Sequence, residues 1–321
     1  MENIKCIMRE CMEKDNKKIQ ILLSTFNGEK YLREQLDSFL KQSCFEKVKV
    51  LIRDDGSTDN TIEILKEYRD KYGFQVLFGE NLGVNGSYEV LLHNCDERCQ
   101  YFAFSDQDDV WLPHKLDLAV SRLEKQNATL PAMFFSLSCI TDENLKSIGI
   151  SQKPVYGVSF YNAMVQNVCP GHTQVFNRIT LQFLKESNFK EINVIDWWTY
   201  LIVSGLGQVI YEPEYTVLHR QHGKNAVGYE MKAVKKFFAR FRRVWSGESI
   251  KLALQLECYR KNFGALLPID YKRELDDFLD SQESFLSRLL YIKRAKVFRQ
   301  AKTEDVYMYL LYLCGKYCLK G

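Results

Sequence analysis

The chain has 321 residues, 46% of them apolar, and a net charge of +3 at pH 7. That length and apolar content allow a large core and a catalytic domain with an appendage, whereas so small a charge gives no ground for a nucleic-acid partner. With no run of about 20 apolar residues there is no helical membrane span, and 10 cysteines without C-x-x-C pairs or a secretion signal read as reduced thiols of a cytoplasmic protein.

Residues 1–18 are polar and charged and read as a tail or short helix. Ile19–Thr25 is an apolar strand, Phe26-Asn27-Gly28 its turn, and residues 29–41 carry helical spacing through Leu32, Leu36, Phe39 and Leu40. A second strand begins at Val48 and runs into Asp54, Asp55 and Gly56, followed by Ser57-Thr58-Asp59 ahead of a helix with Ile62, Leu65 and Tyr68 on one face. Phe74–Phe78 is a short strand before the turn-rich Gly79–Gly83. Tyr101–Phe104 is a further strand, and it leads into Ser105-Asp106-Gln107-Asp108-Asp109-Val110-Trp111. Strands alternating with helices predict an α/β fold with a parallel sheet covered by helices.

Three carboxylates within four positions repel one another and raise each other's pKa. Two readings of Asp106, Asp108 and Asp109 follow. One is a polar turn with Asp109 capping the helix that contains Lys115, Leu116, Leu118, Ala119 and Leu123, beyond Pro113. The other is a site for Mg²⁺ or Mn²⁺, which prefer hard oxygen ligands. The second acidic strand end, at Asp54 and Asp55, favours the metal. In open α/β sheets ligands bind beyond the carboxyl ends of the strands. The polar clusters Thr25–Asn27, Asp54–Asp55, Asn81–Gly83 and Asp106–Asp109 all fall there, in an order that suits a nucleotide with a metal on its diphosphate. The glycine-rich dinucleotide fingerprint and the lysine-containing phosphate loop are both absent.

Five segments, in order, carry a resemblance. They are Leu23–Gly28, Arg53–Asp59, Ser105–Trp111, Asp196-Trp197-Trp198 and Arg220–Asn225, spanning roughly residues 19–228. The chain resembles the family 2 inverting glycosyltransferases, which have the GT-A fold, and is closest to the bacterial rhamnosyltransferase-like branch. The resemblance implies a GT-A type, parallel-rich mixed sheet over residues 19–230, with a C-terminal helical region at 231–321. It implies that Thr25, Asn27, Asp54, Asp55, Gly56 and Ser57 line the nucleotide pocket, with Asp54 on the base edge. Asp106-Gln107-Asp108 matches the DXD motif: Asp106 lies near ribose and metal, and Asp108 is the main metal ligand.

Transfer to a hydroxyl needs a base on the acceptor side. From the residues alone Asp196 reads as the N-cap of an apolar helix over 197–206. The resemblance makes it the general base, with Trp197 and Trp198 as a low-dielectric wall and stacking faces for sugars. Inverting transfer is a single displacement and needs no protein nucleophile. Arg220-Gln221-His222-Gly223-Lys224-Asn225 follows a strand at Tyr215–Leu218 and is suited to neutralise a diphosphate leaving group. The resemblance places His222 at the metal–diphosphate end, Arg220 beside it, and His172 against donor or acceptor. The donor pocket falls to loops at 83–94 and 155–175.

Two basic stretches follow, Met231–Arg243 with Trp245 beyond it, and Phe285–Lys302. As amphipathic helices they either contact a membrane surface through 231–245 and 285–302 or pack on the catalytic domain or a second subunit of a homo-oligomer. The resulting expectation is a metal-dependent transferase, cytoplasmic or peripheral on the inner face of the membrane. Its donor is dTDP-rhamnose, or else a UDP-hexose or UDP-N-acetylhexosamine, and its acceptor is a hydroxyl of a lipid-linked bacterial surface glycan. Two rivals stand beside it. A nucleotidyltransferase would need a basic glycine-rich loop, which Thr25–Glu29 is not, and a non-catalytic binding protein would have lost Asp108 or Asp196.

Overall fold

A computed structural model describes residues 19–222 and 248–319. The stretch 231–245 and the first 18 residues lie outside them, as does the loop after His222. The chain divides into two compact units. Of the described residues, one contains 19–151, 169–187 and 207–220, and the other contains 152–168, 188–206, 221–222 and 248–319.

The first unit is built on a nine-stranded mixed sheet. Its strands are β1 (Ile19–Thr25), β2 (Val48–Asp54), β3 (Gln75–Phe78), β4 (Tyr101–Ser105), β5 (Val110–Trp111), β6 (Ala132–Thr141), β7 (Ser147–Ile150), β8 (Val175–Asn177) and β9 (Gln208–Arg220). Their order is β3-β2-β1-β4-β8-β6-β9-β5, with β7 paired to β6. Strands β3, β2, β1 and β4 are parallel. Strand β8 runs antiparallel to β4 and β6, and β9 is parallel to β6. This is the expected parallel-rich mixed sheet. Strand β1 has Ile21, Leu22 and Leu23 fully buried, which is the continuous apolar run that a strand covered on both faces requires.

Helices α1 (Leu32–Leu40), α2 (Thr61–Tyr72), α3 (Gly83–Asn94), α4 (Lys115–Leu123) and α6 (Arg178–Lys185) belong to the same unit. In α2 the buried residues are Thr61, Ile64, Leu65 and Tyr68, so Ile64 takes the core position that periodicity gave to Ile62. Residues 83–94 are helix rather than loop. Gly83 and Gly86 blur its pattern, yet Tyr88, Leu91 and Leu92 recur at helical spacing and are buried.

Strand β9 begins where the chain passes very close to β6. A Cβ on Gly207 would lie 1.9 Å from the Pro131 carbonyl oxygen, and the next amide, Gln208 N–H, donates to that same oxygen at 2.9 Å. From there the two strands pair in register from Ala132↔Gln208 to Ser136↔Glu212. The pairing then slips twice, because β9 takes eight steps from Glu212 to Arg220 where β6 takes five from Ser136 to Thr141. Pro213 sits in this bulge, where its missing N–H costs no ladder bond.

The second unit is helical: α5 (Phe160–Ala163), α7 (Ile195–Leu206), α8 (Glu248–Phe263), α9 (Ile269–Asp280), α10 (Phe285–Ile292) and α11 (Lys302–Leu313). Residues 285–302 are therefore not one amphipathic helix; the helix ends at Ile292. Several of its cations are tied internally: Arg288 donates to the Leu313 and Gln282 carbonyls, Arg294 pairs with Asp277 at 3.1 Å, and Arg299 pairs with Glu304 at 3.3 Å. No helix among the described residues is long and apolar enough to cross a membrane.

Gly207→Ala is expected to lower the stability of the chain by about 2 kcal/mol or more, because the intruding methyl meets backbone that cannot step aside. Thermal unfolding of the variant checks this, and an unchanged midpoint would mean that the start of β9 is not closed against Pro131.

Candidate nucleotide and metal site

Strands β1, β2 and β4 end side by side, with Thr25 opposite Asp54 and Leu23 opposite Ser105. Their turns thus share one edge of the sheet. Asp54 is buried, and its carboxylate accepts hydrogen bonds from Ser57 N–H at 2.9 Å, Ser57 Oγ at 2.5 Å and Thr25 Oγ1 at 3.1 Å. Three of roughly four acceptor positions on that carboxylate are thereby occupied inside the turn. Asp55, also buried, pairs with the Arg53 guanidinium and accepts from the Leu82 and Gly83 amides, each at 2.9 Å. Those amides open α3, so the Asp55 charge sits on a helix N-terminus that favours it. Gly56 makes the turn at φ +82°.

Asn27 adopts a left-handed φ of 48°, donates its N–H to Ser57 Oγ at 2.9 Å and accepts from Thr58 N–H at 2.8 Å through its side-chain oxygen. The loops of β1 and β2 are therefore sewn to each other, and Thr25, Asn27, Asp54, Asp55, Gly56 and Ser57 are brought together as one wall.

After β4 the chain enters the acidic turn. Asp106 is exposed, Gln107 and Asp108 are half-buried, and Asp109 is fully buried. Asp109 does not cap α4, whose N-cap position is His114. Its Oδ1 accepts instead from Arg220 N–H at 3.1 Å and from His219 Nδ1 at 2.9 Å. The pairing of β5 with β9, Val110↔Leu218, delivers those two residues to it. Arg220 is buried as well. Its guanidinium donates to the Asp108 carbonyl at 3.0 Å and to Glu34 at 2.8 Å, contacts the Glu143 carbonyl, and lies 4.4 Å from the Tyr31 ring centre.

His172 stacks on His219 with ring centres 4.3 Å apart and planes within 5°. Its Nε2 bonds Ser138 Oγ at 2.8 Å, and its Nδ1 lies 3.3 Å from Asp106 and 3.9 Å from Asp109. Lys115 is fully buried beneath them, donates to the His172 carbonyl and places its ammonium 3.8 Å from the centre of a Trp111 ring. Burial disfavours the charge on His219, but the hydrogen bond and charge of Asp109 outweigh it and push the imidazole up to about 9. Burial, reinforced by the His219 charge, holds His172 down at about 3. Burial also lowers Lys115 to about 7 against the pull of Asp109 and Asp106. One stacked ring is thus charged and the other neutral.

Asp109, His172 and His219 each bring a ligand-type atom to within 4.8 Å of the other two. A metal sits in the plane of the imidazole that binds it, and no ion can lie in both of two parallel planes. As arranged, then, one ring at most joins the carboxylates around a cation. Asp106 is exposed and Asp108 half-buried on the same turn, and carboxylate oxygens are harder donors than imidazole nitrogens. His222 follows β9 by two residues and falls in the second unit.

Asp196 lies in the first turn of α7, also in the second unit, and accepts from the Trp197 N–H at 2.6 Å. Trp197 is half-buried and donates Nε1–H to the Ala163 carbonyl at 2.7 Å. Trp198 is fully buried against Tyr259 and Phe263, so it is a core residue and presents no face to a sugar.

Sequence reasoning missed His219, Lys115, Ser138 and the true partner set of Asp109. A signal existed for Lys115: it continues the apolar stripe of Ala119 and Leu123 at a core position. His219 stands two positions beyond buried Val217, on the same strand face.

The glycosyl transferase family 2 model matches residues 20–178. The chain is 26% identical over 310 residues to the dTDP-rhamnosyl transferase RfbG of Shigella flexneri, covering 91% of this chain and 99% of that protein. It is 29% identical over 220 residues to an uncharacterized glycosyltransferase of Haemophilus influenzae, covering 64% of this chain and 66% of that protein. Among solved structures, S. aureus TarS 1–349 in complex with UDP-GlcNAc aligns with a TM-score of 0.55 at 14% identity, over 94% of this chain and 89% of that one. The mannosyltransferase PcManGT from Pyrobaculum calidifontis, in complex with GDP-Man and Mn²⁺, aligns at 0.51 and 16% identity, over 99% and 94%. At such identities the structural matches establish the fold, which is GT-A.

The His219–Asp109 pair has a pH signature. His219 rises from an ordinary 6.5 to about 9 on folding, so its contribution is complete below 6.5 and is lost as pH climbs through 9. In EDTA, His219→Gln is expected to flatten the fall in melting temperature over that window; a slope equal to wild type would exclude the pair as its source.

Proposed function

The chain belongs to glycosyl transferase family 2 through residues 20–178, and from that premise we propose that it is a metal-dependent inverting transferase acting on a nucleotide diphosphate sugar. The observation that carries this reading is the meeting of the Thr25, Asp54 and Ser105–Asp109 turns at the carboxyl ends of three adjacent parallel strands. One wall there offers hydroxyl and amide groups, and the neighbouring turn offers carboxylates.

The donor set fits a hard divalent cation. Asp106 is exposed and Asp108 half-buried, and buried Asp109 Oδ2 has no hydrogen-bond partner among the described residues. Asp108 and Asp106 would hold the ion, with His222 as a further candidate, and such an ion supplies positive charge against a leaving diphosphate. Thr25, Asn27, Asp54, Asp55, Gly56 and Ser57 frame the nucleoside end. Asp196 is the proposed base: as the acceptor oxygen bonds to the anomeric carbon and the bond from that carbon to the diphosphate oxygen breaks, the hydroxyl proton passes to the Asp196 carboxylate. Trp197 stiffens that helix start through its bond to the Ala163 carbonyl.

Rhamnose from a dTDP donor is the proposed sugar, supported by the near full-length similarity to RfbG. The proposed acceptor is a hydroxyl of a growing bacterial surface polysaccharide. A lipid-linked acceptor and a membrane-surface contact are supported by α10, which leaves Phe285, Leu286 and Leu290 exposed.

A thermal-shift panel of dTDP, UDP and their sugar conjugates, with and without Mn²⁺ or Mg²⁺, tests the donor. Metal-dependent stabilisation by dTDP-rhamnose is expected; a shift confined to UDP-sugars would reassign the donor, and no shift with any nucleotide would end the reading. Asp108→Ala is expected to abolish the metal-dependent shift. Asp196→Asn is expected to keep it while transfer drops about 100-fold or more, and near-full turnover in that variant would remove Asp196 from the base role.

A further inference from the structure

Gln107 stands between the two carboxylates proposed to hold the metal, in a position that the motif leaves open to any residue. Its side chain reaches across to the neighbouring turn. Gln107 Oε1 accepts from the Phe26 N–H at 2.9 Å, and Gln107 Nε2 donates to the Phe26 carbonyl at 3.0 Å. A primary amide carries one acceptor and donors in the same plane, so it can satisfy both backbone groups of one residue as a β-bridge partner does. The main-chain pairing of β1 with β4 stops at Leu23↔Ser105. The Gln107 side chain takes up where that pairing ends and joins the two loops beyond it.

The opposite side of the joint is shaped to receive this amide. A Cβ on Gly28 would lie 2.4 Å from Gln107 Oε1 and 2.7 Å from its Cδ, so the absence of a side chain at Gly28 is what admits it. The loop that Gln107 grips is itself fixed to the next strand's turn. Gly28 N–H donates to Thr61 Oγ1 at 2.8 Å, and Asn27 bonds both Ser57 and Thr58. A displacement of the acidic turn therefore reaches the nucleoside wall through one side chain.

We propose that Gln107 is a positioning residue that couples metal binding at Asp106 and Asp108 to nucleotide binding at the Phe26–Gly28 and Asp54–Ser57 turns. The proposal rests on the functional reading above. Neither Glu nor Asn can replace it: Glu lacks the donor to the Phe26 carbonyl, and Asn is one methylene short of the span. Gly28 is its obligate counterpart.

The test is a coupling measurement. The affinities of dTDP and UDP for the full chain are determined by calorimetry with and without Mn²⁺, and the ratio is the coupling factor. In Gln107→Ala this factor is expected to fall about tenfold, the order of two lost hydrogen bonds, while metal-free nucleotide affinity and the far-ultraviolet spectrum stay near wild type. Gln107→Glu should fall between, since it keeps the acceptor and loses the donor. Gly28→Ala should reproduce the loss, and Gly28→Ala with Gln107→Ala should be no worse than Gly28→Ala alone. A folded Gln107→Ala with wild-type coupling would overturn the proposal alone, as would two single losses that add. Absence of metal-dependent nucleotide binding in the wild-type chain would instead overturn the functional reading, and the proposal with it.

Discussion

The buried Asp109 carboxylate is the constraint around which the acidic turn is organised. A charge removed from water without partners costs several kcal/mol, and here a charged imidazole and a backbone amide converge on a single carboxylate oxygen. Both donors come from the last two residues of β9. The turn that carries Asp106 and Asp108 is thereby fixed to strand residues 110 and 111 positions beyond Asp109 in the chain. Arg220 extends the hold, since the same residue whose N–H meets Asp109 also reaches the Asp108 carbonyl, Glu34 and the Glu143 carbonyl. A long-range contact of this kind has no local sequence signature.

That explains which parts of the site were legible. Strand ends rich in carboxylates announce themselves, because adjacent anions at the end of an apolar run, as in Asp54-Asp55 or Asp106–Asp109, repel one another and need compensation. Short-range patterns located β1, β2, β4 and the helices between them. What stayed hidden depends on partners far apart in the chain. Asp109 looked like a helix cap because Pro113 and α4 follow it, and only the β5–β9 pairing shows where its carboxylate goes. Trp198 looked like a sugar platform because it neighbours Asp196, yet on α7 successive residues point about 100° apart, and Trp198 turns into the core while Trp197 stays half-buried. Gln107 carried no signal, since an amide between two aspartates suggests nothing about Phe26.

The carboxylates of the site fall into two groups. Asp54, Asp55 and Asp109 are buried and held by amides, hydroxyls, a guanidinium and an imidazole, so they build the frame. Asp106 is open to solvent and Asp108 half so, which leaves them as the groups of the turn able to meet a ligand. Placing the framing charges on backbone donors, including the first amides of α3, stabilises them without drawing on the cation that the outer pair would share.

The bulge in β9 decides which face of the strand His219 occupies. Side chains alternate across a strand, so a slip by an odd number of residues moves everything beyond it to the opposite face. Strand β9 gains three steps on β6 between Glu212 and Arg220, an odd number, and His219 arrives opposite Ile140 only after that slip. Loss of one residue from the Pro213–Thr216 stretch would turn His219 away from Asp109 without altering any residue of the site. The length of this strand segment is thus as much a condition of the site's geometry as the identity of the aspartates themselves.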